Sequence, residues 1–420
     1  MLHLAYFADD FTGATDALET LAQSGRRTRL FLYPPTPAQC AGLEAVGVAG
    51  LTRSLAPDAM EAVLRPAFAA LRTLNPRHVY YKVCSTFDSS PTVGSIGRAI
   101  EVGRAVFGGG VTPVVVAAPA LGRYCAFGNL FARYGIGSDG PIYRLDRHPA
   151  TSKHVVTPMT EADLRLHLAA QTTLRIGLVS LPSIEGDPER VHQAVLAQAG
   201  GGAEIVFIDA LTNTHLDLIG GALGSLAPAD RPLFSVGSSG LGTALAAYFA
   251  TIPAKPAAVP PGPVLVLSGS CSPVTGGQVD HALAHGFTGV ALDPATPDTP
   301  AIREQIVAAL RTGRPVIAYT ARGSSDRPPV GAAELGAALG RLAREAVAAT
   351  GLRRVVFAGG DTSSYAARAL GLQSIEWLAP LAPGAPWCRA HAPGSPIDGL
   401  ALNFKGGQVG APDYFTAALG

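Results

Sequence analysis

Two aspartates stand side by side where a buried strand should end. In LAYFADDFTGATDALETL, residues 4–21, an apolar run stops at Asp9 and Asp10, Thr12 and Gly13 follow, and then apolar residues recur at helical spacing. In open parallel sheets, ligands bind outside the carboxyl ends of the strands, so carboxylates placed there can orient a hydroxyl or take its proton. The same pair also reads as an ordinary helix N-cap with a solvated neighbour. Both readings stay open on these residues alone.

Other strand ends in the first half carry matching chemistry. AVGVAGL is followed by Thr52, Arg53 and Ser54; RHVYYKV brings Lys82 and Val83, then Cys84, Ser85, Thr86 and Asp88. Carboxylates, one arginine, one lysine and several hydroxyls on one sheet edge suit a small polyhydroxy acid. Arg53 or Lys82 can pair with its carboxylate, and the aspartates can accept from its hydroxyls. Plainer readings are a surface arginine and a Lys82–Asp88 pair. Cys84 and Cys271 sit at strand ends without a motif-level histidine, so each reads as a small buried hydrophobe. His148, His154 and His391 lack ligand spacing, and no metal site is expected from the protein's own side chains.

The second half presents a different edge. GSCSPVTGGQ (269–278), GGDTSSYAARALG (359–371) and NFKGGQVG (403–410) each follow an apolar β-branched or aliphatic run. Glycine lets backbone N–H groups approach phosphate, and a helix N-terminus adds partial positive charge. Lys405 adds a point charge to the third turn. Any one such turn can be merely tight, but three in one domain point to phosphate. There is no G-x-x-x-x-G-K-[ST] run and no kinase H-R-D and D-F-G set, so a P-loop and a protein kinase are excluded. The GGDT segment resembles the Gly-Ala-Gly-Asp turn of ribokinase-type sugar kinases, which makes Asp361 a rival candidate base.

These edges must be carried by βα units. Short β-branched runs (LHLAYFA, AVGVAGL, RHVYYKV, TPVVVAA, RIGLVSL, EIVFIDA, RPLFSVG) alternate with helical stretches such as DAMEAVLRPAFAALRTL. The rhythm resumes in PVLVLSG, RPVIAYT, RRVVFAG and LALNF. The proline-laden IPAKPAAVPPGP at 252–263 can be neither helix nor central strand and reads as a linker. The division is therefore 1–250, a linker at 251–263, and 264–420. The expected class is α/β, two α/β domains with mainly parallel sheets, with substrate and nucleotide in the cleft between them. From 120 to 157 the periodicity lapses into a Gly-, Arg- and His-rich stretch, a length of loop that is usually functional. It ends at TPMTEADL, where Thr160 and Asp163 read as a capping box.

With 420 residues, two domains are the natural expectation. A 48% apolar and 15% charged composition excludes a disordered chain, and a net charge of +1 without basic blocks gives no nucleic-acid or membrane-surface footprint. Five scattered cysteines without C-x-x-C, and an early acidic pair in place of an export signal, fit a reducing cytoplasm. A homodimer is the default assembly.

Taken together these motifs resemble the four-carbon acid sugar kinase family. The resemblance rests on ADDFTGATD (8–16), KVCSTFDSSPTVGSIG (82–97), TPMTEADL (157–164), DALT (209–212), VGSSGL (236–241), GSCSPVTGGQ, GGDT and NFKGGQVG, in that order along nearly the whole chain. It implies an N-terminal sugar-acid domain, a C-terminal nucleotide domain, and transfer of the ATP γ-phosphoryl to a terminal hydroxyl, with Mg2+ held largely by phosphates and water. It implies substrate contacts from Asp9 and Asp10, Arg53 and Lys82 to Ser85. Within the pair we assign Asp10 as the hydroxyl-orienting group and candidate base, with Asp9 as its partner or N-cap. It implies ATP contacts from Ser270, Gly359, Gly360, Asp361, Thr362 and Gly406. The FGNLFARYG…YRLDRHPATSKH stretch is longer and more basic than in members acting on 3-oxo-tetronates, and resembles a subgroup acting on branched acids such as 3-oxo-isoapionate. A ribokinase-like enzyme and a non-catalytic sugar-acid and nucleotide sensor are the alternatives.

Overall fold

Strands β1 (Leu4–Ala8), β2 (Thr28–Phe31), β3 (Ala45–Ala49), β4 (His78–Lys82) and β5 (Thr112–Val115) open the chain. A short arm follows, β6 (Arg123–Ala126), β7 (Asn129–Arg133) and β8 (Ile142–Arg144), and then β9 (Ile176–Val179), β10 (Ile205–Ile208) and β11 (Leu233–Gly237). After the proline-rich segment come β12 (Leu265–Ser268), β13 (Thr288–Ala291), β14 (Val316–Tyr319) and β15 (Arg354–Ala358). The last strands are β16 (Ser374–Ala382), β17 (Ala385–His391) and β18 (Ala401–Lys405). This computed structural model describes residues 2–135, 139–153, 157–249, 252–323 and 331–420, with Asp361 described by its backbone alone.

The chain divides into two compact units. The first comprises Met1–Asp9, Thr20–Thr28 and Tyr33–Ala254; the second comprises Asp10–Glu19, Arg29–Leu32 and Lys255–Gly420. In the main sheet of the first unit the strands pair parallel, in the order β3-β1-β4-β11-β5-β10-β9. Parallel strands covered by helices are buried on both faces, which is why β1 and β3 read as unbroken apolar runs rather than alternating ones, and β4 as Val-Tyr-Tyr between the buried His78 and Lys82. Gly47 lies opposite Tyr6 in the β1–β3 register, and a Cβ there would stand 2.1 Å from the Tyr6 ring. The ring occupies the space that glycine vacates, and it stacks on Tyr80 at 5.5 Å between centroids.

In the second unit β13-β14-β12-β15-β18 are parallel, and β18-β17-β16-β2 continue the sheet antiparallel. Its core gathers Val264, Val266, Ile317, Val356, Trp387 and Phe415.

All eleven strands expected from apolar runs are present. The structure adds β2, the β6–β8 arm, β13, and the β16–β17 hairpin. The stretch 120–157, read as loop, carries the arm's three-stranded antiparallel sheet, whose β6 and β7 alternate buried with half-buried positions too briefly to show a period. The expected capping box is also corrected. The helix Leu164–Ala169 starts four residues after Thr160 and is capped by Asp163, whose carboxylate accepts from the Arg165 amide at 3.0 Å.

Candidate functional site

The carboxyl edge of the first sheet gathers the residues expected there. β1 ends at Asp9, whose amide donates to Lys82 O at 2.9 Å and whose own carbonyl accepts from the Arg53 amide at 3.1 Å. Its buried carboxylate takes a bidentate pair from Arg53, Nε to Oδ2 at 3.1 Å and NH2 to Oδ1 at 2.8 Å. The backbone prepares this geometry. Thr52 Oγ1 is held on Tyr81 OH at 2.8 Å, and Gly94, at φ +60°, passes so close that a Cβ would lie 2.4 Å from the Arg53 carbonyl oxygen. Arg53 is therefore a partner of Asp9, a role the residue spacing did not reveal.

Asp10 sits at the head of the helix Phe11–Gln23. Its Oδ1 accepts from the Gly13 amide at 2.8 Å and its Oδ2 from Thr12 Oγ1 at 2.7 Å. The capping role, left open between the two aspartates, belongs to Asp10. The division between units falls between them, Asp9 with the first and Asp10 with the second.

β4 ends in the buried Lys82, whose Nζ donates to Val83 O at 3.2 Å, while the Val83 amide extends the ladder to Gly237 O at 2.9 Å. The chain then turns sharply. Phe87 adopts φ +57° and its amide closes on Cys84 O at 3.0 Å. Cys84 Sγ lies 2.9 Å from Thr86 Oγ1, and burial, helped by Asp88, pushes the thiol up to about 11, so it stays protonated and is no nucleophile. Ser85 and Thr86 are buried beside it.

In the second unit the three Gly- and hydroxyl-rich turns meet. Gly359, at φ +128°, precedes the helix Gly360–Leu370, and a Cβ on it would stand 2.5 Å from Thr362 Oγ1 and 3.3 Å from the Ser270 amide nitrogen. A Cβ on Gly407 would stand 3.1 Å from Ser270 Oγ. Ser270 Oγ accepts from the Ser272 amide at 3.2 Å, ahead of the helix Pro273–Ala284. The hydroxyls of Ser272 and Ser363 are buried without a hydrogen-bond partner among the described residues. Two helix N-termini, glycines at close approach and unsatisfied hydroxyls fit a phosphate chain. Gly360 and Gly406 lie in the same turns, with only Val409 Cγ2, at 3.4 Å, near a Cβ on Gly406. Asp361's side chain lies outside the described residues, as does His154.

Lys405 differs from expectation. It is fully buried beneath the third turn, where Nζ donates to Thr275 Oγ1 at 3.0 Å and stands 5.5 Å and 5.8 Å from the Tyr414 and Phe415 rings. Burial lowers it to about 7, so it is a poor surface charge. Thr275 in turn donates to Gly407 O at 2.9 Å, and Gln278 Nε2 donates to the carbonyls of Val409, Gly410 and Ala411. Thr275, Gln278 and Gly407 were not singled out from the sequence. The signal was present, because all three lie inside the motifs GSCSPVTGGQ and NFKGGQVG.

Comparison with known proteins accords with this geometry. A sugar-binding N-terminal domain family matches residues 4–245 and a nucleotide-binding C-terminal domain family matches 265–415. A 3-oxo-isoapionate kinase of Paraburkholderia graminis is 41% identical, with 99% of this chain and 93% of that protein covered. A 3-oxo-tetronate kinase of Pseudomonas savastanoi pv. phaseolicola is 32% identical, covering 99% and 96%. Among solved structures, a Salmonella typhimurium LT2 protein carrying a provisional tRNA-synthase label superposes with TM-score 0.80 at 26% identity, over 100% of this chain and 99% of that one. Haemophilus influenzae protein HI1011 shares the fold, at TM-score 0.73 and 24% identity over 99% and 98%. With both domain families matched in order and the relatives aligned end to end, the chain belongs to the four-carbon acid sugar kinase family.

Proposed function

We propose that this protein is an ATP-dependent kinase that phosphorylates the terminal hydroxyl of a small sugar acid, in the cytoplasm and in the catabolism of such acids. The observation that carries the nucleotide half is the convergence of the Ser270, Gly359 and Gly407 turns at two helix N-termini. The acid half is supported by the Asp9–Arg53–Lys82–Ser85 edge. Greater identity to the 3-oxo-isoapionate kinase than to the 3-oxo-tetronate kinases favours a branched acid as substrate.

ATP supplies the phosphoryl group when bound, and Mg2+ shields its charge. Among the described residues no cluster of three His, Cys, Asp or Glu could hold a metal ion, so the cation would be carried by phosphates and water. The chain's own work is to position and neutralise. Amides at Ser270 and Gly359 to Thr362, with Gly406, would receive the phosphates. Asp10 would orient the terminal hydroxyl and take its proton as that oxygen bonds to phosphorus and the bond to the β-phosphate oxygen breaks.

Parallel variants test the base. Asn keeps an oxygen able to cap a helix, so Asp10→Asn leaves the cap and removes the proton acceptor. We expect kcat for ADP release to fall about 10²- to 10⁴-fold with ATP affinity unchanged. Near-normal turnover in Asp10→Asn, with collapse in Asp361→Asn, would instead establish the ribokinase-like arrangement. ATP binding without ADP release on any tetronate, 3-oxo-tetronate or branched acid would make the protein a sensor.

A further inference from the structure

We propose that Arg123 grips the substrate carboxylate through the Nε–NH2 edge of its guanidinium; the inference rests on the sugar-acid reading above. Arg123 opens the arm that follows β5, and its amide and carbonyl both pair with Ala118. It therefore lies past the carboxyl end of a strand only two positions from β4 in the sheet.

The residue is 7% exposed, and its Nε is buried with no hydrogen-bond partner among the described residues. Only NH1 is engaged, donating to the carbonyls of Leu121 and Arg133. Among the described residues no carboxylate stands within ion-pair distance of it. Cys84, Asp88 and Tyr124 act on it electrostatically, which places it toward the β4 turn.

A desolvated cation without a counter-ion is costly, and chains retain one where an anion arrives to complete it. Anchoring the arm explains NH1 alone. The remaining edge, Nε with NH2, is the edge by which Arg53 holds the Asp9 carboxylate, and it matches a carboxylate in bidentate fashion. Arg53 holds Asp9 and Lys82 Nζ donates to the Val83 carbonyl, so Arg123 offers the ligand's carboxylate a guanidinium edge that neither of them does. Arg354 is also buried without a carboxylate partner among the described residues, but it starts β15 at the opposite end of its strand, and it donates to the Ala418 and Leu419 carbonyls after the C-terminal helix Tyr414–Ala417.

The test compares erythronate and threonate, in both enantiomers, together with their 3-oxo and branched analogues, with the corresponding primary amides. Binding is read by calorimetry on the full chain without nucleotide, and ADP release is read separately. Wild type should bind at least one acid more tightly than its amide. Arg123→Gln, which keeps a donor for the arm, should weaken the acid about ten- to a hundredfold and leave the amide unchanged. Arg123→Lys should restore part of the loss. Equal weakening of acid and amide, or an undiminished acid preference in Arg123→Gln, would overturn the proposal while turnover by wild type kept the kinase reading. An acid preference lost in Arg123→Gln with no ADP release from any acid would sustain this inference and sink the kinase reading. No binding of acid or amide by wild type would contradict both.

Discussion

At the scale of single residues, neighbours in sequence divide labour through their backbone positions. Asp9 ends a strand and faces Arg53; Asp10, one residue on, begins a helix and caps it. Removing Arg53 leaves the Asp9 carboxylate buried and unpaired, so Arg53→Ala should lower unfolding free energy by roughly 3 kcal/mol, read from urea titrations. Adding Asp9→Asn should recover part of that loss, and a further loss would contradict the pairing. Lys405 makes a prediction with a pH sign. Folding depresses it from 10.5 to about 7, so between those values the unfolded chain binds more protons and stability rises with pH; below about 7 the penalty is complete. Lys405→Met removes the penalty. Its stability relative to wild type should fall by roughly 3 kcal/mol between about pH 6.5 and about pH 9.5. A pH-independent difference would show that the ammonium is not desolvated. Residue types marked both strand-end clusters as candidates, but not which aspartate caps, which depends on the local turn at Asp10, nor that Arg53 pairs with Asp9, 44 positions away.

At the scale of elements, the glycines of the phosphate turns separate those that geometry requires from those that are merely tolerated. Gly359→Ala forces a side chain into φ +128° and against Thr362 Oγ1 and the Ser270 amide. It should cost about 1–3 kcal/mol in strain and abolish measurable ATP binding by calorimetry. Gly277, inside the helix Pro273–Ala284, has nothing among the described residues within 4 Å of where a methyl would stand. Gly277→Ala should therefore raise stability by about 0.5–1 kcal/mol and leave ATP affinity intact. Equal effects from the two would refute the cradle. Buried parallel strands were legible because both faces are apolar, as in β4 and β15. The β16–β17 hairpin escaped because its outer positions are only half covered and Pro380 and Pro386 interrupt the pattern.

At the scale of the whole molecule, we assign two chemistries to two families of strand ends, hydroxyl- and acid-binding in the first unit and phosphate-binding in the second, in line with the sugar-binding and nucleotide-binding domain families that match the two halves. Composition and the proline-rich run announced two α/β halves. They gave no sign that Asp10–Glu19 and Arg29–Leu32 cluster with the C-terminal residues, because that grouping depends on contacts such as Gly384 N to Glu19 Oε2 at 3.2 Å, 365 positions apart. No helix among the described residues is long and apolar enough to cross a membrane. The central claim is group transfer to a primary alcohol, and a phosphorus-31 spectrum of the reaction tests it most directly. With ATP, Mg2+ and the preferred acid, a new phosphate ester coupled to two methylene protons should appear as ATP is converted to ADP. Inorganic phosphate as the sole product beside ADP, or no ATP consumption with any acid of the series, would contradict the account.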